Sequence, residues 1–321
     1  HFSKKHEIVV VHNGIIENYL EIKERLINDG CKFISETDTE VLPHLIKKNY
    51  HENLTEAVRK SLKEVKGSYA LGIVSNKEPD RIVVSRCGSP LVIGIGDDEM
   101  YIASDIPALL NYTKKVIFLG ENEIATIGKN FVNIINLEGK EVKKEIVEID
   151  WDSEMAEKSG YKHFMLKEIF QQPLVIKNNL SKYIDESGVN LKDINMSEKM
   201  IKKIKKIHII ACGTAFYASL LGKYFIEKLS GIPVEVDYAS EFRYRTQIYN
   251  SDSLGIVVSQ SGETADTIAA MRSFKKRSCP VFAIVNVIGS TISREADESI
   301  YINAGPEIGV ASTKAFIGQV I

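Results

Sequence analysis

The chain has 321 residues, 44% hydrophobic and 26% charged, the profile of a globular protein long enough for two domains of usual size. Its 41 lysines and arginines against 43 aspartates and glutamates leave a net charge of -2, which gives no electrostatic case for nucleic acid or an anionic membrane. No apolar run approaches the ~20 residues that a bilayer-spanning helix needs. Cys31, Cys87, Cys212 and Cys279 stand far apart without CxxC or histidine-rich company, which argues against zinc and disulfide frameworks and fits a reducing cytoplasm.

In chain order, residues 7–11 (EIVVV) read as a strand ending in His12-Asn13-Gly14. No signal peptide precedes it. Residues 19–28 place Tyr19, Ile22 and Leu26 at helical spacing, and Asp29-Gly30 stops that helix. Residues 31–34 read as a returning strand that leads into Ser35-Glu36-Thr37-Asp38-Thr39-Glu40. Residues 41–48 and 54–65 are two further helices. Beyond Gly67 the runs YALGIV, RIVVSR, PLVIGIG, MYIAS, KVIFL, EIATI and FVNIIN are parted by Gly, Asn and Asp turns. A largely antiparallel sheet with helices packed on it, an α+β domain over residues 1–150, is the expectation.

Residues 141–167 turn charged and irregular around Trp151, the chain's single tryptophan, and read as an inter-domain connection. A helix opens near Phe164, and residues 151–196 as a whole are expected to form the linker and a helical connection. Strand and helix then alternate over residues 197–321. Residues 207–211 (IHIIA) are a buried strand, Cys212-Gly213-Thr214 a turn, and residues 215–229 a helix that Gly231-Ile232-Pro233 ends. Residues 234–236, 254–258, 280–285 and 299–302 supply further strands. Repeated strand–turn–helix units predict an α/β domain with a doubly wound parallel sheet. The chain starts with His1 and stops about two turns into a helix with Ser312 as its expected cap, so both ends read as cut.

The most informative stretch is residues 254–267, LGIVVSQSGETADT. An uncharged strand runs into the turn Ser259-Gln260-Ser261-Gly262, and a helix starts after it with Ile268, Met271 and Phe274 on one face. Backbone N–H groups at such a helix start, with several hydroxyls beside them, suit a phosphate monoester. No Lys follows the Gly, so this is not a nucleotide P-loop. The plainer account is that the Ser and Thr residues cap the helix. Ligands of parallel sheets lie beyond the carboxyl ends of the strands, so Thr214 and the Ser259 turn are placed to converge on one anion.

In the first half, the Asn13 amide and the Gly14 N–H are the donor set of an oxyanion hole, yet Asn-Gly is also the commonest tight-turn dipeptide. Asp38 suits a ligand's ammonium group, yet Thr37 and Glu40 equally suggest a capping box. His6, His44, His51, His163 and His208 have no partners at ligand spacing and read as surface or core histidines. Cys212 lies near a helix start, where a thiol can become reactive, but a small buried cysteine is more often packing. These residues by themselves predict an anion site, not a reaction.

Taken in series, HNGIIENY, SETDTE, RCGSPLVIG, ACGTAFYA, ASEFRYR, SQSGETADT and NAGPEIGVASTKAF resemble the isomerising glutamine–fructose-6-phosphate aminotransferase family over essentially the whole chain. The resemblance implies an Ntn-hydrolase-type glutaminase domain, partial here, followed by the first sugar-isomerase (SIS) domain, truncated at its end. It implies glutamine and fructose 6-phosphate as substrates and glucosamine 6-phosphate and glutamate as products. No metal or organic cofactor, no nucleic acid and no membrane are implied, and the full-length assembly would be a homodimer.

By the same resemblance Asn13 and Gly14 are the oxyanion hole and Asp38 binds the glutamine α-amino group. Thr214, Ser259, Gln260, Ser261 and Thr264 hold the sugar phosphate, and Val310 makes a backbone contact to the sugar. Many relatives have Ser where this chain has Ala215, which removes one hydroxyl. The family's N-terminal cysteine nucleophile, its glutamine-binding arginine and its isomerase groups fall outside the chain, so the chain by itself is expected to be inactive. Two other readings stay open: a non-catalytic SIS sugar-phosphate sensor, and an amidotransferase with a different acceptor. The glutaminase-like half counts against the first and the SIS half against the second.

Overall fold

The computed structural model describes residues 1–149, 158–186, 188–191, 194 and 197–321. Trp151 and part of the expected connection lie outside the described residues. The chain divides into two units, His1–Asp150 and Trp151–Ile321.

The first unit starts with β1 (Ile8–Ile16), which buries Ile8, Val10 and Ile16 while Val11 and Ile15 are exposed. That is the period-two pattern of an edge strand covered on one face. Helices α1 (Tyr19–Asn28), α2 (Val41–Asn49) and α3 (Leu54–Leu62) follow. The strand expected at residues 31–34 is not formed. The amides of Ile34 and Ser35 donate to the Glu40 carboxylate at 2.8 and 2.7 Å, so they are not offered to a neighbouring strand.

Strands β2 (Gly67–Ser75), β3 (Glu78–Cys87), β4 (Val92–Ile95), β5 (Met100–Ala103), β6 (Lys115–Phe118), β7 (Glu123–Ile127), β8 (Val132–Asn136) and β9 (Val147–Glu148) complete this unit. They form two antiparallel sheets, in the orders β1-β2-β3-β7-β8 and β5-β4-β6-β9. One core joins α1–α3 to the larger sheet through Leu26, Leu42, Ile46, Val58 and Leu71. A second lies between the sheets, around Val84, Ile93, Ile117, Ala125 and Ile134. An α+β architecture is therefore what the sequence pattern and the structure share.

The second unit opens with α4 (Phe164–Phe170) and α5 (Gln172–Tyr183), then the short pair β10 (Ile184–Asp185) and β11 (Gly188–Val189), and α6 (Glu198–Ile201). Its main body runs β12 (Lys206–Ala211), α7 (Thr214–Ser230), β13 (Val234–Tyr238), α8 (Ala239–Tyr244), β14 (Ser253–Ser259), α9 (Ala265–Lys276), β15 (Val281–Val285), α10 (Thr291–Glu295), β16 (Glu298–Tyr301) and α11 (Lys314–Val320). The five strands are all parallel, in the order β13-β12-β14-β15-β16. One face buries Ile209, Ala215 and Val258, the other Val257, Met271 and Phe274, as a sheet covered by helices on both sides requires. Strand order reverses between β12 and β14, the switch point at which the crevice of a doubly wound sheet opens.

Candidate functional site

At that switch point Ala211 is in register with Val258, so the chain leaves β12 and β14 at one level. Gly213, with φ 58, turns the chain sharply into α7, a helix of 17 residues. From β14 the Ser259–Gly262 turn leads into α9. A Cβ on Gly262 would lie 2.1 Å from Ser290 Oγ and its φ is +67, so the turn needs glycine there. Two helix N-termini and their unpaired amides thus face one cleft of about 190 Å³. Cys212, Thr214 and Ala215 line one side, and Ser259, Gln260, Ser261 and Thr264 another.

The hydroxyls here do not cap α9. Thr264 is its N-cap residue, but its side chain makes no cap hydrogen bond and lies 3.1 Å from Ser259 Oγ. Ser259 Oγ accepts from Gly262 N at 3.0 Å, and Ser261 Oγ accepts from Glu263 N at 3.2 Å, so both serve the turn itself. The Glu263 carboxylate ties the turn to α10, accepting from the Thr291 amide at 2.6 Å and its hydroxyl at 2.9 Å. The turn thus gathers backbone amides and hydroxyls on one side of the cleft.

The third side consists of Glu307, Gly309, Val310 and Ser312, with Gln319 of α11. Val310 is fully exposed and lines the open side of the cleft. The cap expected at Ser312 is not formed. Thr313 occupies the N-cap position without a side-chain cap bond, and the Glu307 carboxylate instead accepts from Thr313 N at 2.8 Å and Ala315 N at 3.1 Å. Burial pushes the amine of Lys314 down to about 8, while the nearby Glu168 and Glu307 carboxylates oppose the shift. Glu307 and the buried Glu168 had no local signature in the sequence, because their partners are backbone amides that only the folded loop presents.

In the first unit, Asn13 and Gly14 do not form a tight turn. They sit inside β1, in register with Ala70 and Tyr69 of β2. A Cβ on Gly14 would fall 2.1 Å from Ser68 O, and its φ is +140, so close approach of the two strands demands glycine. Asp38 lies beside the same strand: its Oδ2 accepts from Ile16 N at 2.7 Å, and its Oδ1 from Thr39 Oγ1 at 3.3 Å. The capping box expected of Thr37 and Glu40 is not made. Thr37 makes no side-chain cap bond, and Glu40 is drawn to Ile34, Ser35 and the Ser35 hydroxyl. His12, which the sequence reading passed over, links β1 to this segment with Nδ1 2.8 Å from Thr39 Oγ1. Burial holds its imidazole below the ordinary value, with Asp38 and the Ser68 backbone opposing.

Among the described residues no cluster of His, Cys, Asp and Glu could hold a metal, and no helix is long and apolar enough to cross a membrane. Residues 1–111 match the glutamine amidotransferase domain family, and residues 200–321 match the SIS domain family. Over 322 aligned residues the chain is 54% identical to the glutamine–fructose-6-phosphate aminotransferase (isomerising) of Clostridium tetani, covering 100% of this chain and 53% of that protein. Identity to the protein of the same name from Caldanaerobacter subterraneus is 53%, with the same coverage. A solved structure, the C-terminal domain of glucosamine-fructose-6-phosphate aminotransferase from Francisella tularensis, is 42% identical with a TM-score of 0.49, covering 51% of this chain and 46% of that one. The chain spans about half the length of the curated relatives it matches. It thus joins a region that matches the glutamine amidotransferase domain family to one that matches the SIS domain family, and over its whole length it is similar to isomerising glutamine–fructose-6-phosphate aminotransferases.

Proposed function

We propose that the chain is part of an enzyme that moves the amide nitrogen of glutamine onto fructose 6-phosphate, giving glucosamine 6-phosphate and glutamate. The observation that carries this reading is the cleft at the β12/β14 switch point, where two helix N-termini and the hydroxyls of Thr214, Ser259, Ser261 and Thr264 meet. A phosphate fits that donor set, and Val310 on the third wall is proposed to contact the sugar through its backbone. Asn13 and Gly14 are proposed as the oxyanion donors and Asp38 as the partner of the glutamine ammonium. The Asp38 bond to Ile16, two positions beyond Gly14, supports this, since it places the carboxylate beside the same strand end.

The glutaminase nucleophile is proposed to be none of Cys31, Cys87, Cys212 and Cys279. Cys31 and Cys87 pack against the helix–sheet core, Cys212 lines the anion cleft, and the buried Cys279 thiol is pushed up by desolvation. Cysteines this far apart, without CxxC spacing, suit a reducing cytoplasm. Calorimetric titration with glucosamine 6-phosphate tests the SIS half: the chain should bind it, and Ser259→Ala should weaken binding roughly 5- to 10-fold through one lost hydrogen bond. Equal affinity for both chains would remove the proposed cradle. The same preparation should release no glutamate from glutamine, and measurable release would show that one of its own groups is the nucleophile.

A further inference from the structure

The cleft's three sides differ in what supports them. Two grow directly from the ends of β12 and β14 and inherit the rigidity of the parallel sheet. The third, residues 307–312, contains no regular element and needs bracing from elsewhere. Glu307 braces it from within, through the Ser312 hydroxyl at 2.8 Å and Thr313 N at 2.8 Å. Glu168 braces it from outside. This residue of α4 is only 2% exposed, and its Oε1 accepts from Ile308 N at 2.7 Å across a sequence separation of 140 residues.

Gly309 N lies 3.2 Å from each Glu168 oxygen, so one buried carboxylate gathers two consecutive amides. A Cβ on Gly309 would stand 2.5 Å from Glu168 Oε2, and the missing side chain is what lets the carboxylate reach the backbone. Charge-assisted bonds of this kind are strong, and two amides left without an acceptor in a buried place would be costly. A second tie lies just beyond the loop, where Lys314 Nζ donates to Gln171 Oε1 at 2.8 Å, immediately after α4.

We propose that Glu168 is a positioning residue for the cleft, holding Ile308 and Gly309 so that the backbone at Gly309–Val310 and the Ser312 hydroxyl face the sugar end of the ligand. The inference rests on the sugar-phosphate reading above. The phosphate end is held by Thr214 and the Ser259 turn, which Glu168 does not touch, so its influence falls on the sugar and not on the phosphate. Glu168→Gln keeps the size and one acceptor oxygen but removes the charge and turns an NH₂ group towards Gly309 N, which can only donate.

The test compares this variant with the unaltered chain by titration with glucosamine 6-phosphate and with inorganic phosphate, and by amide hydrogen exchange. Affinity for the sugar phosphate should fall ~10-fold while affinity for phosphate changes less than about 2-fold. Exchange should rise across residues 308–313 and stay unchanged in β12 and β14. Equal losses for the two ligands, or an unchanged sugar-phosphate affinity, would overturn the role. If the unaltered chain binds neither ligand, the sugar-phosphate reading itself fails, and a rise in exchange confined to Ile308 and Gly309 then overturns the positioning role separately. Should β12 and β14 also lose protection, the variant has lost its fold. Glu168→Asp, which keeps the charge but retracts it, then decides by the same readouts, with a smaller loss expected.

Discussion

His208 shows how a residue that looks inert in the sequence acquires a physical consequence. It sits on β12 with 1% exposure, its ring packed against Tyr249 and Phe274, and neither ring nitrogen has a hydrogen-bond partner. Burial is the main cause that holds its pKa below 6.5. Lys206 and Arg245 add to the shift, while Glu235, 3.8 Å away, and Asp237 oppose it. His12 and His44 are depressed in the same direction, each chiefly by burial. A histidine held neutral in the fold binds a proton more readily when unfolded. Stability is therefore fully present above pH 6.5 and is lost as the pH falls below it towards the depressed folded values. Urea midpoints should drop between pH 7 and pH 5, and His208→Leu should make that drop shallower without abolishing it. An identical slope in the variant would mean that His208 is not held neutral.

At the scale of the element, the two strand-to-helix turns carry the site, and Ala215 is the position where one of them differs from many relatives. Ala215 occupies the first turn of α7, is buried at 7% exposure, and lines the cleft. A serine there would add one donor to a cradle that already contains four hydroxyls. Ala215→Ser should thus tighten glucosamine 6-phosphate binding by ~1 kcal/mol at most, about fivefold by titration, and an unchanged affinity would show that the added hydroxyl cannot reach the ligand. These turns were legible in the sequence because β-rich, uncharged strands, a glycine and a helical apolar period stand next to one another. The capping bonds were not. Thr264 and Ser312 look like helix caps by residue type, yet Thr264 makes no cap bond and Glu307 takes the place expected of Ser312. A side chain from outside the local window can always compete for an N-terminal amide.

For the whole molecule, α7 presents Tyr217, Leu221, Tyr224, Phe225 and Leu229 to solvent, from 40% to 84% exposed and spaced along one stripe. An exposed apolar stripe on a long helix is a candidate contact surface. We propose a homodimer, for which this stripe is one supporting observation. Sedimentation equilibrium should then find self-association that Tyr224→Glu weakens; a monomer at every concentration, or an unaffected dimer, would rule the stripe out as the contact.

The order of elements, the α+β character of the first half, the parallel sheet of the second and the convergence of Thr214 with the Ser259 turn were all set by local pattern. Periodicity, strand-end turns and glycine positions are short-range properties, and they survive without knowledge of the fold. The missing strand at residues 31–34, the inclusion of Asn13-Gly14 within β1, and the carboxylate braces from Glu40, Glu168 and Glu307 were decided only by tertiary structure. The first two depend on which backbone groups pair, and the braces on which backbone amides come within ~3 Å of a carboxylate, and periodicity and residue type fix neither.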